Sequence, residues 1–259
     1  MSGQSTTRTA SVGSTGTKPA GSRLGQRLSG VAVALGMVLF LGGFAWAAVV
    51  YRPYTVPTTS MTPTIGAGDR VLAQRVDADD IRRGDVVVFN EATWADVPVV
   101  KRVVAVGGDT VSCCQGGKLK VNSKEIDEPY LAEDTADRLA NFPSVTVPEG
   151  RLFLLGDERS GSVDSTAHLT DAANGTVSRK AVQGRVEAVV WPMNGMLPAP
   201  SGFEKLGPVS QPGPLPTMVA LVIAGTVLIL GGAAYGPLAK RSAASRARMR
   251  ANAEPARGH

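Results

Sequence analysis

An all-β domain held between two apolar helices is the fold class that this sequence predicts. Residues Gly30–Val50 carry no charged side chain, and neither do residues Pro208–Leu238, whose apolar density peaks from Met218 to Tyr235. About twenty residues at 1.5 Å rise cross the hydrocarbon of a bilayer, so each run is long enough for a transmembrane helix. Between them, short β-branched runs recur at roughly ten-residue spacing, bounded by Gly, Pro or Asp, with little helical periodicity.

The elements follow in order. Residues 1–29, rich in Ser, Thr and Gly, are expected to be a disordered basic tail. A first transmembrane helix is expected over 30–50. The domain at 51–196 has strand-like runs at Val71–Val76, Asp85–Phe89, Val97–Val106, Thr110–Cys113, Leu119–Asn122, Val145–Val147, Leu152–Leu155 and Val186–Trp191. Gly107-Gly108-Asp109 and Gln115-Gly116-Gly117 read as turns, and 127–142 and 157–180 as loops, each with room for a helical turn. Residues 197–216 are rich in proline and glycine and read as a linker. A second transmembrane helix is expected over 217–238 and a basic tail over 239–259. Ala45-Trp46-Ala47 leaves open a cleavable signal peptide at the first run, but its apolar stretch exceeds the 7–15 residues of an ordinary h-region.

Charge gives the expected topology. Arg8, Lys18, Arg23 and Arg27 precede the first run without any acidic residue. Lys240, Arg241, Arg246, Arg248, Arg250 and Arg257 follow the second, against Glu254 alone. The stretch between the runs holds 17 Lys/Arg against 21 Asp/Glu, a net charge of −4. The overall charge of +5 therefore resides in the tails and does not indicate nucleic-acid binding. Basic flanks stay on the cytoplasmic side. The expectation is a multi-pass protein of the cell membrane, with both termini cytoplasmic and the β-domain extracytoplasmic.

Few chemistries fit the residues present. The chain has only two histidines, His168 and His259, and it lacks an HExxH, a CxxC, a P-loop and a dinucleotide fingerprint. No metal site and no cofactor are expected. His168 reads as a solvent-exposed loop residue. Ser60 lies in Val56-Pro57-Thr58-Thr59-Ser60-Met61-Thr62-Pro63-Thr64, ten residues past Val50. By itself that stretch is compatible with a polar turn. A serine hydroxyl needs a base to become a nucleophile, and a lysine serves only when neutral, hence desolvated. Lys101 sits in Val99-Val100-Lys101-Arg102-Val103-Val104, where alternation puts it on one face with Val99, Val103 and Ala105, and Arg102 on the other. The alternative role for Lys101 is that of a charge protecting an edge strand.

The Ser60 segment, Gly68-Asp69-Arg70-Val71-Leu72, Lys101-Arg102 and Gly156-Asp157-Glu158-Arg159-Ser160-Gly161-Ser162-Val163-Asp164-Ser165 resemble, in order and spacing, the boxes of bacterial type I signal peptidases over about Tyr54–Trp191. The resemblance implies a signal-peptidase-like β-fold with Ser60 as nucleophile and Lys101 as general base. It implies an oxyanion hole from the Ser60 N–H and the Thr58 hydroxyl. It further implies that Ser162 orients the lysine amine, that Asp157 pairs with Arg102, and that Asp164 buttresses the site. The implied reaction is removal of signal peptides from exported preproteins at Ala-x-Ala-like sites, next to membrane lipid and the secretion translocon. The alternatives are a catalytically inactive β-domain that binds envelope proteins and a self-cleaving repressor-type Ser-Lys protease, which two spans argue against.

The match has departures. Glu158 stands where the family usually has asparagine, and Thr166 where it has arginine, leaving Arg159 or Arg179 as substitute partners of Asp164. Asp164→Ala is accordingly expected to cost less than Ser162→Ala. Met61 is a candidate for an apolar rim on the membrane. Cys113 and Cys114, on opposite faces of a strand, are expected as free thiols, with a vicinal disulfide as the alternative.

Overall fold

The computed structural model describes residues 21–95, 97–114, 118–132 and 141–253. The expected turn at Gln115-Gly116-Gly117 and much of the 127–142 loop lie outside the described residues, as does the first part of the N-terminal tail. Helices α1 (Gly21–Val50) and α2 (Leu215–Ala253) flank the strands β1 (Tyr51–Thr55), β2 (Arg70–Gln74), β3 (Val86–Phe89), β4 (Val99–Val106), β5 (Thr110–Cys113), β6 (Lys120–Val121), β7 (Lys124–Glu125), β8 (Phe142–Thr146), β9 (Arg151–Leu155), β10 (Thr176–Ser178), β11 (Val182–Trp191) and β12 (Gly195–Met196). Two compact units result. One is helical, drawn from residues up to Gly43 and from Val219 onward; the other is Phe44–Met218.

Gly25–Val50 and Leu215–Tyr235 are long and apolar enough to cross a membrane, with mean hydropathy 2.3 and 2.2. In the helical unit Ser29 Oγ donates to the Gly232 carbonyl at 2.7 Å. Gly36 and Gly225 approach so closely that a Cβ on either would meet the other helix's backbone. Small residues at such crossings let backbones pack where lipid removes the hydrophobic drive. Both helices run past the expected limits. Residues 21–29, expected to be disordered, are helical, and α2 continues through the expected tail to Ala253. Extending a formed helix costs far less than nucleating one, and Ala, Arg, Lys and Met are good helix formers.

The other unit is built on two antiparallel sheets. The larger has eight strands in the order β1-β2-β11-β3-β4-β9-β10, with β12 paired to β11. The smaller runs β7-β6-β5-β8. β1 was not expected, because Pro53 cannot donate to a ladder; it occupies the sheet edge, where that defect is tolerated. β10 lies in the expected 157–180 loop and pairs with β9. The expected linker is packed against the unit. Leu197 N–H donates to the Glu187 carbonyl at 2.8 Å, Phe203 is buried in the core, and Leu215 N–H donates to the Tyr51 hydroxyl at 3.1 Å.

Candidate active site

The Ser60 segment is anchored by its apolar residues. Val56, Met61 and Ile65 are buried together with Val71, Val86 and Val100, while Thr58 and Thr59 stay exposed. Met61 is thus a core residue, which corrects its expected place on a membrane-facing rim. The ends of the segment are tied by Val56 N–H to the Asp69 carbonyl and Gly68 N–H to the Val56 carbonyl, at 2.8 and 2.7 Å. Ser60 is thereby held in a turn with its side chain facing β4.

Lys101 lies in the middle of β4, opposite Val87 of β3. It is 2% exposed, and its Nζ lies 2.6 Å from Ser60 Oγ. Val99 and Val103 do belong to the apolar cluster of Val87 and Leu154. Ala105 belongs to the other cluster, with Val104 and Phe153, because the β4–β9 register shifts between Val103 and Ala105 and breaks the simple alternation. Burial lowers the Lys101 amine from 10.5 to about 8, against the opposing pull of the Asp164 and Asp157 carboxylates. Thr58 Oγ1 stands 3.2 Å from Ser60 Oγ, and the Ser60 backbone N–H is engaged by no acceptor among the described residues.

Next in β4, Arg102 makes a two-pronged ion pair with Asp157, Nε to Oδ1 at 2.8 Å and Nη2 to Oδ2 at 2.6 Å. Its Nη1 donates to the Gly84 carbonyl at 2.9 Å, and its guanidinium carbon lies over the Tyr130 ring, 3.8 Å from the ring centroid. Thr64 Oγ1 donates to Asp157 at 2.5 Å, and Glu158 N–H donates to the Ser60 carbonyl at 3.1 Å. The Asp157 turn therefore holds both sides of the Ser60 segment. Arg159 braces the same turn: its Nε donates to the Gly156 carbonyl, and its other nitrogens fork onto Glu128 at 3.0 and 2.6 Å. The contacts of Thr64, Gly84, Glu128 and Tyr130 were not expected from sequence, because these residues come from three separate segments: Thr64 from the Ser60 segment, Gly84 from the turn before β3, and Glu128 and Tyr130 from one loop. Only the Tyr130–Glu128 spacing lies within one segment, and nothing in it signals an arginine partner.

Asp164 is buried and accepts from Gly156 N–H at 3.0 Å and from Thr166 through both its N–H and its hydroxyl, at 3.0 and 2.8 Å. Its partner is thus the substituted residue Thr166, and neither Arg159 nor Arg179; the latter donates to the Ala78 carbonyl. Ser162 Oγ is buried with no hydrogen-bond partner, so the bond to Lys101 Nζ implied by the resemblance is not made. It lies against Gly156, where a Cβ would overlap it. The expected ranking of these two residues is reversed on this geometry. Asp164→Ala strands a buried N–H and is expected to cost on the order of 3 kcal/mol, whereas Ser162→Ala should stay within about 1 kcal/mol. Thermal unfolding of the two variants in detergent measures the difference, and equal losses would contradict it.

His168 is half-buried rather than exposed, since its ring stacks on Trp94 at 4.4 Å; its Nδ1 lies 2.8 Å from Asp171. It makes no hydrogen bond to Ser60. Cys113 and Cys114 are joined as a vicinal disulfide, against the expectation of free thiols. The strand ends at Cys113, so alternation no longer separates the two side chains. Among the described residues no group of His, Cys, Asp and Glu is arranged to hold a metal ion.

A buried lysine thus meets a serine hydroxyl, with an arginine–aspartate pair beside it. The family model for signal peptidase, peptidase S26, matches residues 28–191, more than half of the chain. The chain belongs to this family. Among similar members, signal peptidase I of Bacillus licheniformis is 34% identical over 156 residues, covering 57% of this chain and 80% of that protein. Signal peptidase I S of Bacillus subtilis (strain 168) is 33% identical over 176 residues, covering 64% and 88%. A crystal structure of a signal peptidase I from Enterococcus faecalis V583 matches at 28% identity and TM-score 0.35, covering 40% of this chain and 95% of that one. In this peptidase S26 member, the matched stretch contains Ser60, Lys101, Arg102, Asp157 and Asp164.

Proposed function

We propose that the protein is a membrane-anchored serine endopeptidase that removes signal peptides from exported preproteins, with Ser60 and Lys101 as its catalytic pair. The observation that carries this reading is the 2.6 Å approach of a buried lysine amine to Ser60 Oγ. An amine with a midpoint near 8 is neutral in a useful fraction of molecules at neutral pH. Neutral Lys101 takes the Ser60 proton as Oγ attacks the scissile carbonyl. The oxygen that gains negative charge finds donors in the Ser60 N–H and the Thr58 hydroxyl. Collapse breaks the peptide bond, the lysine ammonium returns its proton to the leaving amine, and water then hydrolyses the acyl-enzyme. Asp157 and Arg102 hold the nucleophile's turn, and Asp164 holds Gly156.

The basic flanks of both spans support cytoplasmic termini and an extracytoplasmic β-domain, the side on which signal peptides emerge from the secretion translocon. Lipid contact is supported by the end of β11. Trp191 is 65% exposed and Met193 89%, and Trp191 pairs with Arg70, the residue that also pairs with Thr55 on the way to Ser60. An exposed tryptophan with apolar neighbours suits the membrane interface. Both members of the catalytic pair are present and in contact, which favours this reading over an inactive binding domain.

The test is cleavage of a preprotein by the purified full-length protein in detergent, followed by gel analysis of the mature product. Ser60→Ala should yield none. The rate at low substrate should rise with pH to a plateau, with its midpoint near 8, because only the deprotonated amine accepts the proton. Product formation by Ser60→Ala at the wild-type rate would sink the assignment.

A further inference from the structure

Arg102 is the hub that joins β4 to the turn holding Ser60, and its surroundings include a residue from far along the chain. Phe203 lies in the segment between β12 and α2 and is almost wholly buried. Its ring stacks nearly parallel to Tyr130, at 6.5 Å between centroids and 15° between planes. Tyr130 in turn lies 3.8 Å from the Arg102 guanidinium carbon. Phe203 therefore packs beside the ring on which the guanidinium rests, in the core cluster that Tyr130 adjoins.

Phe203 also meets Arg102 by a second route. The Gly84 carbonyl accepts from Arg102 Nη1, and the Gly84 N–H donates to the Val103 carbonyl at 2.7 Å. Gly84 has φ +85°, and Pro200 and Phe203 fill the space that a Cβ would need. The same corner is latched one residue on, where Ser210 Oγ donates to Asp85 at 2.8 Å. The segment thus touches both the Tyr130 ring and the Gly84 corner, the two supports of the Arg102 guanidinium besides Asp157.

We propose that Phe203 is a positioning residue for the Ser60–Lys101 pair, acting through Tyr130 and Gly84 to seat Arg102 on Asp157. The proposal rests on the peptidase reading above. It assigns the residues between β12 and α2 a part in catalysis in addition to their part in joining the domain to the second helix. If Arg102 loosens, the Asp157 charge is less well neutralised, and that carboxylate pulls the Lys101 amine upward.

The experiment compares full-length Phe203→Leu with Phe142→Leu in detergent. Phe142 is a buried ring of the same core cluster that stacks on Phe153 instead. Both variants should lose similar thermal stability. Phe203→Leu is expected to lower kcat about tenfold with little change in KM, and to move the midpoint of the pH–rate profile upward; Phe142→Leu should do neither. The Lys101 titration is followed in the same proteins by carbon-13 NMR of its side chain, which needs no turnover. An unmoved midpoint in Phe203→Leu, or an equal shift in Phe142→Leu, overturns the proposal. Failure of the wild type to cleave a preprotein would instead count against the peptidase reading, while the lysine titration still decides the role of Phe203.

Discussion

Lys101→Met is expected to abolish turnover and, at neutral pH, to make the protein more stable. The loss of rate follows from removing the proton acceptor at 2.6 Å from Ser60 Oγ, and should be on the order of 10⁴-fold. The gain in stability follows from the same burial that makes the lysine a base. Its amine falls from 10.5 to about 8 on folding, which corresponds to at most roughly 3 kcal/mol of penalty on the charged form. Well below pH 8 the amine is protonated in nearly all folded and unfolded chains, and the folded state bears almost the whole penalty. Between pH 8 and 10.5 the folded chain releases its proton while the unfolded chain keeps it, so wild-type stability rises with pH. Methionine has similar length and no charge. The difference in Tm between variant and wild type should therefore be largest at pH 7 and shrink towards pH 10. A variant less stable than wild type at pH 7, or one that still processes preprotein, would contradict the buried-base assignment.

Asp157→Ala carries the second large effect. It leaves Arg102, a residue only 4% exposed, without its counter-ion and leaves Thr64 without its acceptor. Removing one partner of a buried pair costs about 3–5 kcal/mol, because the other charge stays desolvated. Turnover should fall as well, since the turn that receives the Ser60 carbonyl through Glu158 N–H loses its anchor. The double variant Arg102→Met with Asp157→Leu should recover much of the stability, as apolar replacements of buried pairs do, without recovering turnover. Thermal unfolding and preprotein cleavage on the three proteins separate the two effects. A loss below about 1 kcal/mol for Asp157→Ala would mean that the pair is more solvated than its burial indicates.

Local signals account for what could be anticipated. Uncharged runs of about twenty residues announce helices wherever they lie, and β4 and β5 were legible because β-branched residues between Gly and Asp favour strands in any context. β1 and β10 were missed for reasons just as local: Pro53 argues against a strand, and Thr176–Ser178 is three residues long. Met61 was misplaced because a methionine in a polar run gives no sign of which side it faces. Thr166 reads in sequence as a departure that leaves Asp164 without a clear partner, since nothing in its identity shows that its N–H and hydroxyl both reach Asp164.

The candidate site divides along the same line. The meeting of Ser60 with Lys101 and of Arg102 with Asp157 was anticipated through the resemblance of their short segments to the family's boxes. Their surroundings were not. Gly84 and the Glu128–Tyr130 loop converge on Arg102 and Arg159 from separate segments, with Phe203 against Tyr130 from a third, and a contact between distant segments leaves no periodicity in either one. By itself the sequence determined which groups are available for the chemistry and that two apolar spans flank a β-domain. Only the tertiary structure decided how deeply Lys101 is buried and what holds Arg102 in place. Desolvation and ion pairing depend on everything within a few ångströms, and that neighbourhood is assembled by the fold.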